Sequence, residues 1–80
     1  MIAITIYSRA GCHLCDEMKA VVQRVASGIA SIEEVDIAND PALESLYGVE
    51  IPVLLINGKK VAKYRVSEED LRRALHRRDG

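Results

Sequence analysis

The 80-residue sequence contains no phenylalanine and no tryptophan, and its aromatic residues are three tyrosines. Since 49% of the residues are hydrophobic, the core has to be built from aliphatic side chains. A chain of this length buries only a modest share of its surface, so we expect one domain that covers residues 1–80. An excess of one charge is also missing, because the formal net charge is -1. We therefore expect no nucleic-acid partner.

Long hydrophobic runs are absent as well. The apolar stretch at residues 1–7 is short, and no lysine or arginine precedes it, so we expect no signal peptide. No segment approaches the length of a membrane-spanning helix. We accordingly expect a cytoplasmic monomer with no membrane partner.

Cysteine is scarce, and Cys12 and Cys15 are the only two. A small exported domain normally carries several disulfides, and a bridge across so short a loop stabilises little. Structural zinc requires four ligands, and beside the pair the chain offers only His13 and His76, of which His13 is adjacent to Cys12 and would point away from a site shared with Cys15. We therefore predict no metal site in a monomer, while a cluster shared by two subunits stays open.

The hydrophobic periodicity predicts an α/β fold with four strands and three helices. Short β-branched runs are typical of strands, whereas residues 13–26 repeat apolar side chains at helical spacing. The predicted elements are a strand at 2–7, a helix at 13–26, a strand at 31–37, a short helix from 41 to about 47, strands at 53–57 and 59–65, and a helix from 67. The β-α-β-α-β-β-α order predicts a mixed four-stranded sheet flanked by the helices, with an antiparallel hairpin through Asn57-Gly58.

The spacing of the two cysteines favours a redox couple. Gly11 lets the chain turn out of the first strand, which puts Cys12 at or next to the first residue of the helix. There, free N–H groups and the positive end of the helix dipole favour a thiolate. Cys15 follows one turn deeper, on the same face and within bridging reach. We predict that Cys12 is the exposed, acidic nucleophile and that Cys15 is the buried resolving thiol.

Two stretches, TIYSRAGCHLCDEMK and VEIPVLLINGKKVAKY, resemble glutaredoxin-like members of the thioredoxin superfamily, in particular short bacterial proteins with a C-H-L-C site. The resemblance implies a minimal thioredoxin fold and a thiol-disulfide oxidoreductase that acts on protein or small-molecule disulfides. It implies no cofactor, since the electrons come from another thiol system, a reductant or reductase that the sequence does not identify.

The resemblance also implies roles for residues outside the cysteine pair. The Ile51-Pro52 bond is expected to be cis and to face the cysteines, where it shapes the substrate groove together with Tyr7. Arg9 matches a basic residue that holds the thiolate and a glutathione carboxylate. As an imidazolium, His13 beside the nucleophile would stabilise the thiolate further.

Three pairs of residues depart from the glutaredoxin pattern. Glutaredoxins have Pro-Tyr between the cysteines, then Gly-Gly after the fourth strand, and next a Ser/Asp pair that binds the glutamyl end of glutathione. The corresponding residues here are His13-Leu14, Ala62-Lys63 and Arg65-Val66. Because lost glycines imply lost close approach, we expect glutathione to bind poorly, even where it serves as reductant.

Two other functions stay open at this point. One is a dimer that binds and delivers an iron-sulfur cluster through Cys12. The other is an interaction module with the same fold whose cysteine pair is redox-inert.

Overall fold

The computed structural model describes residues 2–79 and has the predicted α/β fold, with three α-helices and a mixed four-stranded sheet in that range. The strands are β1 (Ala3–Ser8), β2 (Ser31–Asp36), β3 (Val53–Ile56) and β4 (Lys59–Lys63). The helices are α1 (His13–Ala26), α2 (Pro41–Tyr47) and α3 (Glu68–Asp79). A short 3-10 turn, Ile37–Asn39, joins β2 to α2 and was not predicted.

The sheet has the strand order β2-β1-β3-β4. β1 runs parallel to β2 and antiparallel to β3, so that Tyr7 near the end of β1 pairs with Val53 at the start of β3. β3 and β4 form the predicted hairpin, and its turn residues Asn57 and Gly58 have φ values of 52° and 84°. Those positive values explain why this turn contains Asn-Gly.

The two faces of the sheet carry different helices. On one face, Ile4 and Ile6 of β1 belong to a buried cluster with Met18 of α1 and Leu71 of α3. The cluster contains no aromatic side chain among the described residues, in agreement with the predicted aliphatic core. On the other face, Tyr7 contacts α2.

Polar contacts fix where the helices begin. Asp40 caps α2 by accepting hydrogen bonds from the N–H groups of Ala42 and Leu43, and Pro41 occupies the first turn as predicted. Ser67 caps α3 in the same way, with its Oγ 3.0 Å from the nitrogen of Asp70.

Glu68, at the start of α3, connects that helix to α1. Its carboxylate accepts hydrogen bonds from Arg24 of α1 and from Arg72, which is 3.2 Å away. These guanidinium groups, chiefly that of Arg24, hold the pKa of Glu68 below its ordinary value near 4.5.

The fourth strand is shorter than predicted. The strand was expected to run to residue 65, but Tyr64 adopts a left-handed conformation with φ 70° and ends it after Lys63. The Tyr64 N–H donates to the carbonyl of Pro52 at 2.8 Å, and the Arg65 N–H donates to that of Lys63 at 2.8 Å. This turn redirects the chain towards α3.

None of the helices within residues 2–79 combines the length and the apolar character needed to cross a membrane.

Candidate active site

Cys12 and Cys15 lie where β1 gives way to α1. Cys12 is the N-cap residue of α1 with an extended backbone, while Cys15 lies in the first helical turn. Their Cα atoms are 5.2 Å apart and their sulfurs form a disulfide. Cys12 is partly exposed, but only 1% of the surface of Cys15 is accessible. One sulfur is therefore open to a substrate and the other is shielded, which is the arrangement expected for a nucleophile and a resolving thiol.

The start of α1 places a hydrogen-bond donor beside the exposed sulfur. The Cys15 N–H donates to Cys12 Sγ at 3.1 Å, so the sulfur acts as the capping acceptor of the helix. A thiolate accepts such a bond more strongly than a thiol, and the positive end of the helix dipole adds to the effect. The helix thus favours the ionised form of Cys12 after reduction.

Gly11 makes the turn into α1 possible. Its φ is 79°, a value that a residue with a side chain adopts only at a cost. The local sequence Gly-Cys is therefore what brings Cys12 to the end of the helix instead of continuing β1.

The Ile51-Pro52 peptide bond is cis, as predicted, and Pro52 is buried at the start of β3. Because Tyr7 pairs with Val53, Pro52 lies at the end of the sheet where β1 leads into the cysteine turn. The Pro52 carbonyl is occupied by the N–H of Tyr64, whereas Ile51 remains partly exposed. The predicted groove residues are thus collected at the cysteine end of the sheet.

Tyr7 is half-buried and stacks on Tyr47 of α2. The ring centroids are 4.9 Å apart and the rings are inclined by 26°. The side chain therefore anchors α2 to the sheet, a contact that the sequence analysis did not include. Its role in a substrate groove stays a prediction.

Arg9 and His13 flank the cysteine turn, but they differ in their surroundings. Arg9 is half-buried and its guanidinium forms an ion pair with Glu44 of α2. His13 is exposed at the first position of α1. Neither sequence spacing nor composition indicated Glu44, because the pair joins residues 35 positions apart. Thiolate tuning by Arg9 and His13 stays a prediction.

A second polar group lies on the α1 side of the same turn. Ser8 is buried and its Oγ donates to Glu34 at 3.1 Å, while the Lys19 ammonium reaches the other oxygen of Glu34 at 3.0 Å. The three side chains, with Gly11 and Asp16 among others, line an open cavity of about 240 Å³. The members of this group share no recognisable motif, so nothing in the sequence indicated it.

His76, the more distant histidine, is not brought to the cysteines. It lines a cavity with Ile2 and Ile29 at the opposite end of β1. Within residues 2–79, moreover, no three histidine, cysteine, aspartate or glutamate side chains are grouped closely enough to hold a metal ion.

The region before Pro52 exposes apolar side chains. Leu46 and Val49 are 65% and 89% exposed, and Tyr64, bonded to the Pro52 carbonyl, is 42% exposed. The Lys63 ammonium lies 5.3 Å from the centroid of the Tyr64 ring.

Nearby, Glu50 pairs with Lys60 at 3.0 Å, and the hydrogen bond from Lys60 is the main cause that lowers the pKa of Glu50.

Comparison with known proteins identifies relatives of nearly the whole chain. The profile of a family described as "Glutaredoxin-like domain (DUF836)" matches residues 3–76. The crystal structure of protein XcR50 from X. campestris is 33% identical with a TM-score of 0.80, over 92% of this chain and 96% of that one. Protein Ne2328 from Nitrosomonas europaea is 28% identical with a TM-score of 0.72, over 91% and 89%.

A mutant thioredoxin from Halobacterium salinarum shows the same fold. It is 24% identical with a TM-score of 0.67, and the match covers 95% of this chain and 73% of that one. Together with the pair of cysteines three positions apart, the match to the glutaredoxin-like family indicates a thiol redox function.

Proposed function

The chain belongs to the glutaredoxin-like domain family, and on that premise we propose that it is a thiol-disulfide oxidoreductase for protein or small-molecule disulfides. The observation that carries the proposal is the unequal exposure of two bonded sulfurs at the start of α1. A substrate reaches Cys12 first, while Cys15 stays protected until the mixed disulfide has formed.

The reaction follows from that order of access. The Cys12 thiolate attacks one sulfur of the substrate disulfide, and the other substrate sulfur leaves as a thiolate that takes up a proton. Cys15 then loses its proton and attacks Cys12 Sγ, which releases the second substrate thiol. Two electrons pass to the substrate, and the protein is left with the Cys12–Cys15 disulfide seen in the structure.

Neighbouring groups assist these steps in the proposal. The α1 N-terminus and His13 favour the Cys12 thiolate, and Arg9 adds a smaller contribution because Glu44 pairs with its guanidinium. Ile51 and Pro52, with Tyr7 behind them, shape the groove that holds an extended substrate beside the sulfurs. The chemistry needs no cofactor, because a second thiol system returns the pair to the reduced state.

The partners proposed are disulfide-containing substrates and a thiol reductant or reductase, with the chain acting as a monomer. A cytoplasmic setting suits it, since glutathione and thioredoxin systems there keep thiols reduced. Glutathione itself is proposed to be a poor partner. Ala62 and Lys63 place side chains where glutaredoxins have glycines.

Disulfide reduction by the purified protein tests the function. With dithiothreitol as reductant, the wild type is expected to accelerate the reduction of insulin disulfides, and Cys12→Ser to abolish the acceleration. Cys15→Ser is expected to accumulate a mixed disulfide with the substrate through Cys12, because attack survives while resolution is lost. Ser45→Ala, on the exposed side of α2, serves as the control for folding.

Two outcomes would contradict the proposal. Reduction that persists in Cys12→Ser would show that Cys12 is not the nucleophile. A cysteine pair that dithiols cannot reduce would support a redox-inert interaction module instead.

A further inference from the structure

The ion pair between Arg9 and Glu44 links the cysteine turn to α2. Arg9 follows Tyr7 by two positions, so both side chains point to the α2 face of the sheet. On the helix, Glu44 and Tyr47 are three residues apart and share one face. Two parallel contacts result, the stack of Tyr7 on Tyr47 and the ion pair of Arg9 with Glu44.

Gly48 leaves room for the Glu44 carboxylate. The Gly48 N–H donates to the Glu44 carbonyl at 2.8 Å as α2 ends. A Cβ atom at position 48 would lie 3.0 Å from Glu44 Oε1 and 2.5 Å from the Glu44 carbonyl oxygen. The carboxylate therefore packs over this glycine while it holds the guanidinium of Arg9.

Arg9 is close enough to affect charged reactants at Cys12. They are three positions apart in sequence, so their Cα atoms lie within about 10 Å, which is close to the Debye length at 0.1 M salt. An uncompensated cation at that distance would raise the local concentration of anions around the sulfur. A carboxylate in direct contact with the guanidinium cancels most of this field.

We propose that Glu44 is a positioning residue that neutralises Arg9 and thereby keeps anionic thiols and disulfides from being favoured at Cys12. The inference rests on the proposed function and adds a substrate class to it. Because the pair carries no net charge, anionic disulfides gain no advantage over neutral ones, and glutathione, which carries more carboxylates than ammonium groups, gains nothing from Arg9.

Alkylation of Cys12 by an anionic and a neutral reagent measures this field directly. In a Cys15→Ser background Cys12 is the only thiol of the chain, so iodoacetate and iodoacetamide report on it alone. The ratio of the iodoacetate rate to the iodoacetamide rate is expected to rise about two- to fivefold in Glu44→Gln, because a net positive charge then lies near the sulfur. In about 1 M salt the rise is expected to shrink, since the Debye length falls to about 3 Å.

Three further variants separate charge from other effects of substitution. Arg9→Gln is expected to lower the ratio, because Glu44 is then uncompensated. The double variant Arg9→Gln/Glu44→Gln is expected to return to the wild-type ratio. Glu69→Gln breaks a comparable ion pair with Arg73 on α3 and is expected to leave the ratio unchanged.

The outcomes distinguish this inference from the proposed function. An unchanged ratio in Glu44→Gln, or a rise that persists in the double variant, would overturn the role of Glu44 even if the protein reduces disulfides. Conversely, alkylation requires no turnover, so the predicted ratios would support the electrostatic role even if insulin reduction failed. In turnover assays, Glu44→Gln is expected to shift preference from 2-hydroxyethyl disulfide towards glutathione disulfide by a similar factor.

Discussion

At the scale of single residues, the environments of the two cysteine sulfurs differ in exposure and in hydrogen bonding. Cys12 Sγ accepts a hydrogen bond from the Cys15 N–H at 3.1 Å. Gly11, with its φ of 79°, lets the chain turn so that Cys12 lies at the start of α1. Cys15 is surrounded by the protein, which disfavours a charge on its sulfur. We therefore expect the backbone alone to make the Cys12 thiol more acidic than the Cys15 thiol, before any neighbouring side chain acts.

This difference leads to a prediction for the ionisation of Cys12. In Cys15→Ser, the rate of Cys12 alkylation by iodoacetamide is expected to rise with a midpoint well below pH ~8.5, the ordinary value of a free cysteine. The reason is that the α1 N-terminus stabilises the thiolate. The second-order rate constant of alkylation is measured between pH 3 and 10, a range of about seven units around the expected midpoint.

A control separates the helix from the flanking side chain. His13→Gln removes the imidazole and leaves the hydrogen bond from the Cys15 N–H in place. If its midpoint stays with that of the parent, the helix end accounts for the effect. A parent midpoint close to the free-cysteine value would instead refute a tuned nucleophile.

Helices and strands show which local signals in the sequence were sufficient. The periodicity placed α1 at residues 13–26, where the structure has it, because an amphipathic face and a glycine end are both local features. β4 was predicted too long, since Tyr64 takes a positive φ and its N–H donates to the carbonyl of Pro52. Its identity gave no signal, because tyrosine is an ordinary strand residue.

Contacts between distant elements were beyond local reasoning. The cysteine pair and the hairpin turn rest on residues close in sequence, and the cis proline was implied by the family resemblance. The Arg9–Glu44 pair and the Tyr7–Tyr47 stack instead join β1 and its turn to α2 across more than thirty residues. Nothing in one sequence specifies such a partner until the fold has brought α2 onto the sheet.

The end of α2 gives a prediction at this scale. Gly48→Ala is expected to lower the free energy of unfolding by about 1–3 kcal/mol, the usual cost of forcing atoms into a packed site. The added Cβ would meet the Glu44 carbonyl at 2.5 Å, and a backbone atom cannot move away cheaply. Urea denaturation followed by circular dichroism measures the change.

The matched control is Ser45→Ala, an exposed change in the same helix that is expected to alter stability by less than about 0.5 kcal/mol. Because Gly48 also supports the Glu44 carboxylate, Gly48→Ala is expected to disturb the Arg9 pair as well. Wild-type stability in Gly48→Ala would mean that α2 ends without requiring a glycine.

At the scale of the whole molecule, the candidate active site lies at one end of the sheet, and the hydrophobic core lies along its length. β1 carries the aliphatic core along its length and ends at the cysteine turn, where Pro52 and the end of α2 also meet. The opposite end of β1 holds a cavity lined by Ile2, Ile29 and His76, away from the sulfurs. In this 80-residue chain, the candidate site thus lies at one end of the sheet, and the remainder of the sheet contributes to stability.

The departures from the glutaredoxin pattern predict weak use of glutathione. Ala62 and Lys63 add side chains where close backbone approach is needed, and Arg65-Val66 lacks the acidic anchor that binds the glutamyl end. A missing charge-assisted bond is worth about 1.5–3 kcal/mol. We expect deglutathionylation to be about tenfold to a few hundredfold slower than in an ordinary glutaredoxin.

The test compares two electron donors on one substrate protein. In the first assay, the substrate protein carries glutathione in a mixed disulfide, and its release is measured with glutathione as reductant. In the second assay, the intramolecular disulfide of the same substrate protein is reduced by a thioredoxin-reductase system. Lys63→Gly is expected to recover part of the glutathione rate, because the backbone of β4 is then open to close approach at an exposed position, whereas Ala62 packs against the core. Lys59→Gly, at the other end of β4, is the control for the loss of a strand side chain. If the wild type already works with glutathione at ordinary glutaredoxin rates, the side chains at positions 62 and 63 do not obstruct it, and the substrate preference argued from them is wrong.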